Sequence, residues 1–145
     1  MYNHCLSFQG LRLLVVDDVP DSRALVTLMF EQDGAEMIEA ASASEALEAL
    51  ERLKPDILIS DIKLPDEDGY SLIHKVRNLN AEQGGQIPAI ALTGYAGEEN
   101  RDRALSAGFN RHLSKPFGLD ELAEVVATLV WTRALNLISS LIDYL

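Results

Sequence analysis

The chain has 145 residues, with 12 Lys and Arg against 23 Asp and Glu for a net charge of −11, which suits one ordinary domain and excludes two. Apolar residues make up 48%, enough for a proper core, while the acidic balance works against binding nucleic acid or an anionic membrane face, both of which need clustered Lys and Arg. The single cysteine, Cys5, allows no disulfide within the chain, no leader-like segment opens it, and no uninterrupted apolar run approaches the roughly 20 residues of a membrane span, so a cytoplasmic protein without membrane attachment is expected.

Short apolar runs alternate with helical patterns along the chain. Leu11 to Val16 is the first candidate strand, followed by a helix whose inward stripe is read as Leu25, Leu28 and Met29 and which stops at Gly34. Ala35 to Ala40 is the second strand. The next helix carries Ala46, Leu47 and Leu50, takes its N-cap from Ser42 or Ser44, and is cut off by Pro55 before the third strand, Asp56 to Ser60. Leu72, Ile73 and Val76 mark the third helix; residues 80–86 form a polar loop; Ile87 to Leu92 is the fourth strand. The fourth helix, Arg101 to Ala107, has only Ala104, Leu105 and Ala107 to bury and stops at Gly108. Phe109 to Leu113 is the fifth strand, and a fifth helix capped by Asp120 buries Leu122, Val125, Val126 and Leu129 and ends near Val130. This order predicts an α/β fold, a doubly wound parallel sheet of five strands covered by five helices. The predicted divisions are a lead-in over residues 1–10, a domain over 11–130 and an apolar helical extension over 131–145.

In such a sheet, ligands bind in the crevice outside the carboxyl ends of the strands. The first strand ends in Asp17 and Asp18, the third runs into Asp61, the fourth into Thr93, and the fifth into Ser114-Lys115-Pro116. Three carboxylates brought together repel one another unless a cation holds them, and hard oxygen donors without cysteine favour Mg²⁺ or Mn²⁺ over zinc. Lys115 as a point charge and Thr93 as a hydroxyl donor beside that metal suit the oxygens of a phosphoryl group. An aspartate at a strand end can then act as a nucleophile that forms an acyl phosphate.

The motifs Val16-Asp17-Asp18, Asp61 with the following Ile62-Lys63-Leu64-Pro65-Asp66-Glu67-Asp68-Gly69-Tyr70, Leu92-Thr93 and Lys115-Pro116-Phe117 occur in the order seen in receiver domains of two-component response regulators, and the chain resembles that family from about Leu11 to Val130. The resemblance implies a flavodoxin-like fold in which Asp61 accepts a phosphoryl group from a phosphohistidine of a histidine kinase or a histidine phosphotransfer protein. It implies that Asp17, Asp18, Asp61 and the backbone carbonyl of Lys63 hold Mg²⁺, that Thr93 and Lys115 contact the phosphoryl oxygens, and that the Lys115-Pro116 peptide is cis. The protein is then a signalling switch rather than a metabolic enzyme, with its output running through another, unidentified protein. Gln9-Gly10, the loop Thr93-Gly94-Tyr95-Ala96-Gly97 and Gly108-Phe109 look like those of receivers attached to hybrid sensor kinases. His112, three residues before Lys115, stands where many receivers have Tyr or Phe; it is a candidate switch residue with Thr93, or simply the end of a strand. Lys63 and Tyr95 match the variable positions that flank the attacking water, where a large Tyr95 is expected to slow hydrolysis.

Other readings compete with this one. A Mg²⁺-dependent small-molecule phosphohydrolase using an aspartyl-phosphate needs an acid/base carboxylate two residues past the nucleophile and a cap over the substrate; Lys63 occupies that position, and no insertion provides a cap. A binding module that is never phosphorylated would not need Asp61, Thr93 and Lys115 together. Residues 66–69 resemble part of a calcium loop, but counting back from Gly69 puts Leu64 at the first ligand position. His4, His74 and His112 share no ligand spacing. Beyond Val130 the apolar stripe of Leu135, Ile138, Leu141, Ile142 and Leu145 requires a cover, expected from a homodimer through paired tails, a partner helix or the domain itself.

Overall fold

A computed structural model describes residues 7–94 and 98–144 of the chain. In chain order the elements are β1 (Arg12–Val16), α1 (Pro20–Gln32), β2 (Glu36–Ala40), α2 (Ala43–Leu53), β3 (Ile57–Asp61), α3 (Gly69–Arg77), a 3₁₀ turn (Ala81–Gln83), β4 (Ala89–Thr93), α4 (Glu98–Ala107), β5 (Arg111–Ser114) and α5 (Leu119–Asp143). All strand pairs are parallel, in the order β2-β1-β3-β4-β5. The expected doubly wound sheet of five strands and five helices is present. Its direction of winding reverses between β1 and β3, the place where such sheets open a crevice.

The three central strands, β1, β3 and β4, are buried on both faces, and their alternation divides the core. Leu14, Val16 and Leu58 point toward α2, α3 and α4, where they meet Leu50, Leu72, Ile73 and Val76. Leu13, Val15 and Ile59 point toward α1 and α5, against Val26, Phe30, Leu122 and Val126. Phe8, from the predicted lead-in, belongs to this second layer: it is 2% exposed and stacks edge-on against Phe30, with ring centroids 5.1 Å apart.

Several local expectations need correction. Met29 is buried as expected, but Leu25 and Leu28 face solvent, at 53% and 60% exposure, and α1 buries Val26 and Phe30 in their place. Both sets have helical spacing, so periodicity could not choose between them; packing against the sheet did. Strand β5 begins at Arg111 rather than Phe109, because the Gly108 and Phe109 N–H groups turn back onto the Leu105 and Ala104 carbonyls to close α4. Gly34 and Gly108 do adopt positive φ at the helix ends. Of the two candidate serines, Ser42 caps α2, its side chain accepting from the Glu45 N–H. Asp120 caps nothing: the N-cap of α5 is Gly118, and Asp120 lies in the first turn, where a negative charge meets the positive end of the helix dipole.

The largest difference is at the carboxyl end. The break expected near Val130 is absent, and α5 continues to Asp143 because no Gly or Pro interrupts it. By length and composition it is long and apolar enough to cross a membrane, contrary to the expectation that no segment is.

The two arcs of α1 should separate in unfolding experiments. Phe30→Ala is expected to lower stability by about 3–5 kcal/mol, whereas Leu28→Ala should change it by no more than about 0.5 kcal/mol, as read from urea midpoints at constant slope.

Candidate functional site

Five of the predicted site residues sit at the carboxyl end of a strand or just beyond it. Asp17 and Asp18 follow β1, Asp61 closes β3, Thr93 closes β4, and Lys115 follows β5. Parallel register places these ends side by side, with Asp61 opposite Leu92 and Thr93 opposite Ser114. One carboxylate oxygen from each of Asp17, Asp18 and Asp61 lies within 4.8 Å of the others. Asp17 and Asp61 are buried and Asp18 is exposed, so the cluster opens to solvent on one side.

Lys115 supplies the opposing charge. Its Nζ donates to Asp61 Oδ2 at 2.8 Å and lies 3.9 Å from Asp17 Oδ2. Burial alone pulls the ammonium pKa down, but the bond to Asp61 and the charges of Asp61, Asp17 and Asp18 outweigh it and leave the pKa raised. Asp17 responds in the other direction from an ordinary ion-paired carboxylate. Burial pushes its pKa up, assisted by Asp61 and Asp18, and neither the Val19 N–H on its Oδ1 at 2.9 Å nor Lys115 cancels that rise. Three carboxylates thus stand beside one ammonium. That donor set fits a hard divalent cation, and Asp17, Asp18 and Asp61 are the residues that could hold it.

The backbone around the nucleophile candidate is tightly packed. The Lys63 N–H is 3.4 Å from Asp61 Oδ1, and the Gly69 N–H donates to the Ile62 carbonyl at 2.7 Å. A Cβ on Gly69 would stand 2.7 Å from the Asp61 carbonyl oxygen, so only glycine lets α3 start this close to β3. Asp66 in the same turn accepts from the Ala43 and Ser44 N–H groups at the head of α2, which hold its carboxyl well below the usual range. Asp68 caps α3 through the Ser71 N–H. These acidic residues are helix-capping groups, in keeping with the rejected calcium loop.

His112, at the second position of β5, lies beside Thr93. Its Nε2 is 2.7 Å from Thr93 Oγ1, and with a neutral ring protonated on Nδ1 the hydroxyl donates to it. Burial, and to a lesser degree the positive charge of Arg101, holds the imidazole pKa below its ordinary value. Tyr95 lies outside the described residues. Among the described residues, a Cβ on Gly94 would meet nothing within 4 Å.

The crevice has a volume of about 730 Å³, and its wall includes Tyr70, Asn100 and Arg103, to which the sequence reading gave no role. Arg103 stacks over the Tyr70 ring at 4.2 Å, joining α3 to α4 across the opening. The available signal was the spacing of Asn100 and Arg103, three apart on one helix face, but nothing in the sequence pointed that face at Asp61.

Acidic strand ends, a lysine and a hydroxyl at the switch point of a five-stranded parallel sheet define a doubly wound domain built to handle a phosphoryl group. Residues 13–127 match the response regulator receiver domain family, and the chain belongs to it. It is 49% identical over 114 residues to the "uncharacterized 14.6 kDa protein in sodA1 3'region" of Leptolyngbya boryana, covering 79% of this chain and 86% of that one. It is 33% identical to hybrid signal transduction histidine kinase D of Dictyostelium discoideum, covering 83% of this chain but 8% of that protein. The CheY-like receiver domain protein of Methanospirillum hungatei JF-1 superposes with a TM-score of 0.79 at 30% identity, covering 87% of this chain and 98% of that one. The chain is accordingly a receiver domain of two-component signalling, a phosphoacceptor switch with a flavodoxin-like fold, and the phosphohydrolase reading is set aside.

Two measurements probe this electrostatic arrangement. Asp17→Asn keeps an oxygen for the Val19 N–H while removing a disfavoured charge, so in EDTA it should raise the melting midpoint by roughly 2–5 °C. For His112 the folded pKa lies below the unfolded value of about 6.5, so its contribution to stability is complete above that pH and is lost as pH falls through the folded value. His112→Gln should therefore flatten the decline in melting temperature between pH 7.5 and 5 relative to the wild type.

Proposed function

We propose that Asp61 is the phosphoryl acceptor, that the donor is a phosphohistidine on a histidine kinase or a histidine phosphotransfer protein, and that the cation is Mg²⁺ held by Asp17, Asp18, Asp61 and the Lys63 carbonyl. The observation that carries this reading is the unbalanced cluster of three carboxylates bridged by Lys115. When bound, Mg²⁺ neutralises phosphoryl oxygens and aligns the in-line displacement. An Asp61 carboxylate oxygen attacks phosphorus as the bond to the imidazole nitrogen of the donor breaks, and the proton that nitrogen takes up completes the exchange. Lys115, freed from the lost charge on Asp61, turns its ammonium to a phosphoryl oxygen.

Thr93 is the second contact. A hydroxyl that donates to His112 cannot at the same time donate to a phosphoryl oxygen, so phosphorylation and the 2.7 Å bond to His112 compete. On this reading His112 is released when Thr93 turns inward, which carries the state of Asp61 to the β5 surface. The catalysis belongs to the protein's own modification and its loss by hydrolysis, and the signal passes on by protein contact. The proposed signalling unit spans residues 11–130 together with the core residue Phe8 of the lead-in, with residues 131–145 appended, and the lone Cys5 favours a reducing cytoplasm.

Incubation with acetyl phosphate and Mg²⁺ followed by intact mass should show one added phosphoryl group. Asp61→Asn and chelation with EDTA should each abolish it. An unchanged wild-type mass, with Mg²⁺ binding demonstrated separately, would overturn the assignment.

A further inference from the structure

The carboxyl half of α5 leaves the domain. Leu122, Ala123, Val126 and Leu129 are buried against the sheet, but from Trp131 onward the large apolar side chains face solvent, with Trp131 66% and Leu141 68% exposed. At 100° per residue, Trp131, Leu135, Ile138, Leu141 and Ile142 fall within one half of the helix circumference, and Thr132, Asn136, Ser139, Ser140 and Asp143 fall within the other. Such complete segregation over thirteen residues is the pattern of a helix with one covered face.

We propose that this face is covered by the same face of a second copy of the chain, forming a two-fold dimer through α5. Three arguments select that occupant. The large apolar side chains of this stretch, Trp131, Leu135, Leu137, Ile138, Leu141 and Ile142, are each 47–68% exposed, a bare area of the same order as the about 800 Å² that each partner contributes to an interface of standard size. Among the described residues a bilayer span does not fit, because Leu122, Ala123, Val126 and Leu129 of α5 are committed to the core and the stretch from Trp131 to Asp143 covers about 20 Å of a hydrocarbon thickness of about 30 Å. A membrane-surface helix needs a cationic polar face, whereas here the polar side carries Arg133 alone, which turns back to within 3.9 Å of Asp56, on a chain of net charge −11. A pairing between copies needs no charge complement, and the rim of this face has none to offer a foreign helix.

The geometry also keeps the two functions apart. The base of the extension borders Leu11, Asp56 and Pro88, at the amino ends of the strands, opposite the edge that carries Asp61. Pairing there leaves the acidic crevice of each copy open to its phosphoryl donor.

Sedimentation of the full chain from about 1 to about 100 µM tests the proposal without reference to phosphorylation. The wild type should sediment as a dimer at the upper end. Ile138→Glu with Leu141→Glu should remain monomeric throughout, while Ser139→Glu with Ser140→Glu, which adds the same charge on the polar side, should dimerise like the wild type; circular dichroism confirms that each variant is folded. A monomeric wild type at 100 µM, a dimer that survives the apolar-side change, or dissociation by the polar-side change would each overturn it. So would a monomer that floats with vesicles of three parts phosphatidylcholine to one part phosphatidylglycerol, which would assign the face to a bilayer instead.

Discussion

Repulsion among Asp17, Asp18 and Asp61 is the constraint around which the rest of the molecule is arranged. Left to itself a chain would separate three carboxylates whose oxygens stand within 4.8 Å of one another. They stay together because β1 and β3 are adjacent strands, buried apart from Arg12, whose register is locked by apolar side chains on both faces. The core on either side of the sheet thus opposes the repulsion at its edge, and Lys115 offsets only part of it.

The turn after β3 shows how closely the scaffold and the site are joined. Gly69 presses on the Asp61 carbonyl, and Asp66 reaches across to the N-terminus of α2. The segment that follows Asp61 is therefore tied to the head of one helix and begins another, which leaves the Asp61 backbone little freedom. On the other side, Thr93 and His112 are linked by a single hydrogen bond between neighbouring strands.

Helix α5 serves two environments with one continuous backbone. Its first half is an ordinary amphipathic layer on the sheet, with Leu122, Val126 and Leu129 buried. Its second half has lost the sheet but kept an apolar face, now turned to solvent through Leu135, Ile138 and Ile142. Periodicity alone reads these two halves alike, since it records which residues share a face and not what that face meets.

Much of the site was legible because a parallel α/β sheet has only one edge at which strand ends collect, so Asp17, Asp18, Asp61, Thr93 and Lys115 had to converge once five strands were recognised. Residue types then set the chemistry: carboxylates, a hydroxyl and an ammonium suit a hard cation and a phosphoryl group. Which side of α1 is buried, that α5 does not stop at Val130, that Phe8 joins the core, and that Arg103 lies over Tyr70 at the mouth were not legible. Each of these depends on contacts between residues far apart in sequence or on the absence of a local stop signal. The alternation of apolar runs, the punctuation by glycine and proline and the order of the acidic motifs determined the fold and the kind of chemistry by themselves, because local spacing and residue type suffice for both. The pairing of Thr93 with His112, the net burden on Asp17 and the bare face of α5 were decided only by tertiary structure, since hydrogen bonding, desolvation and exposure are properties of surroundings that the folded chain creates.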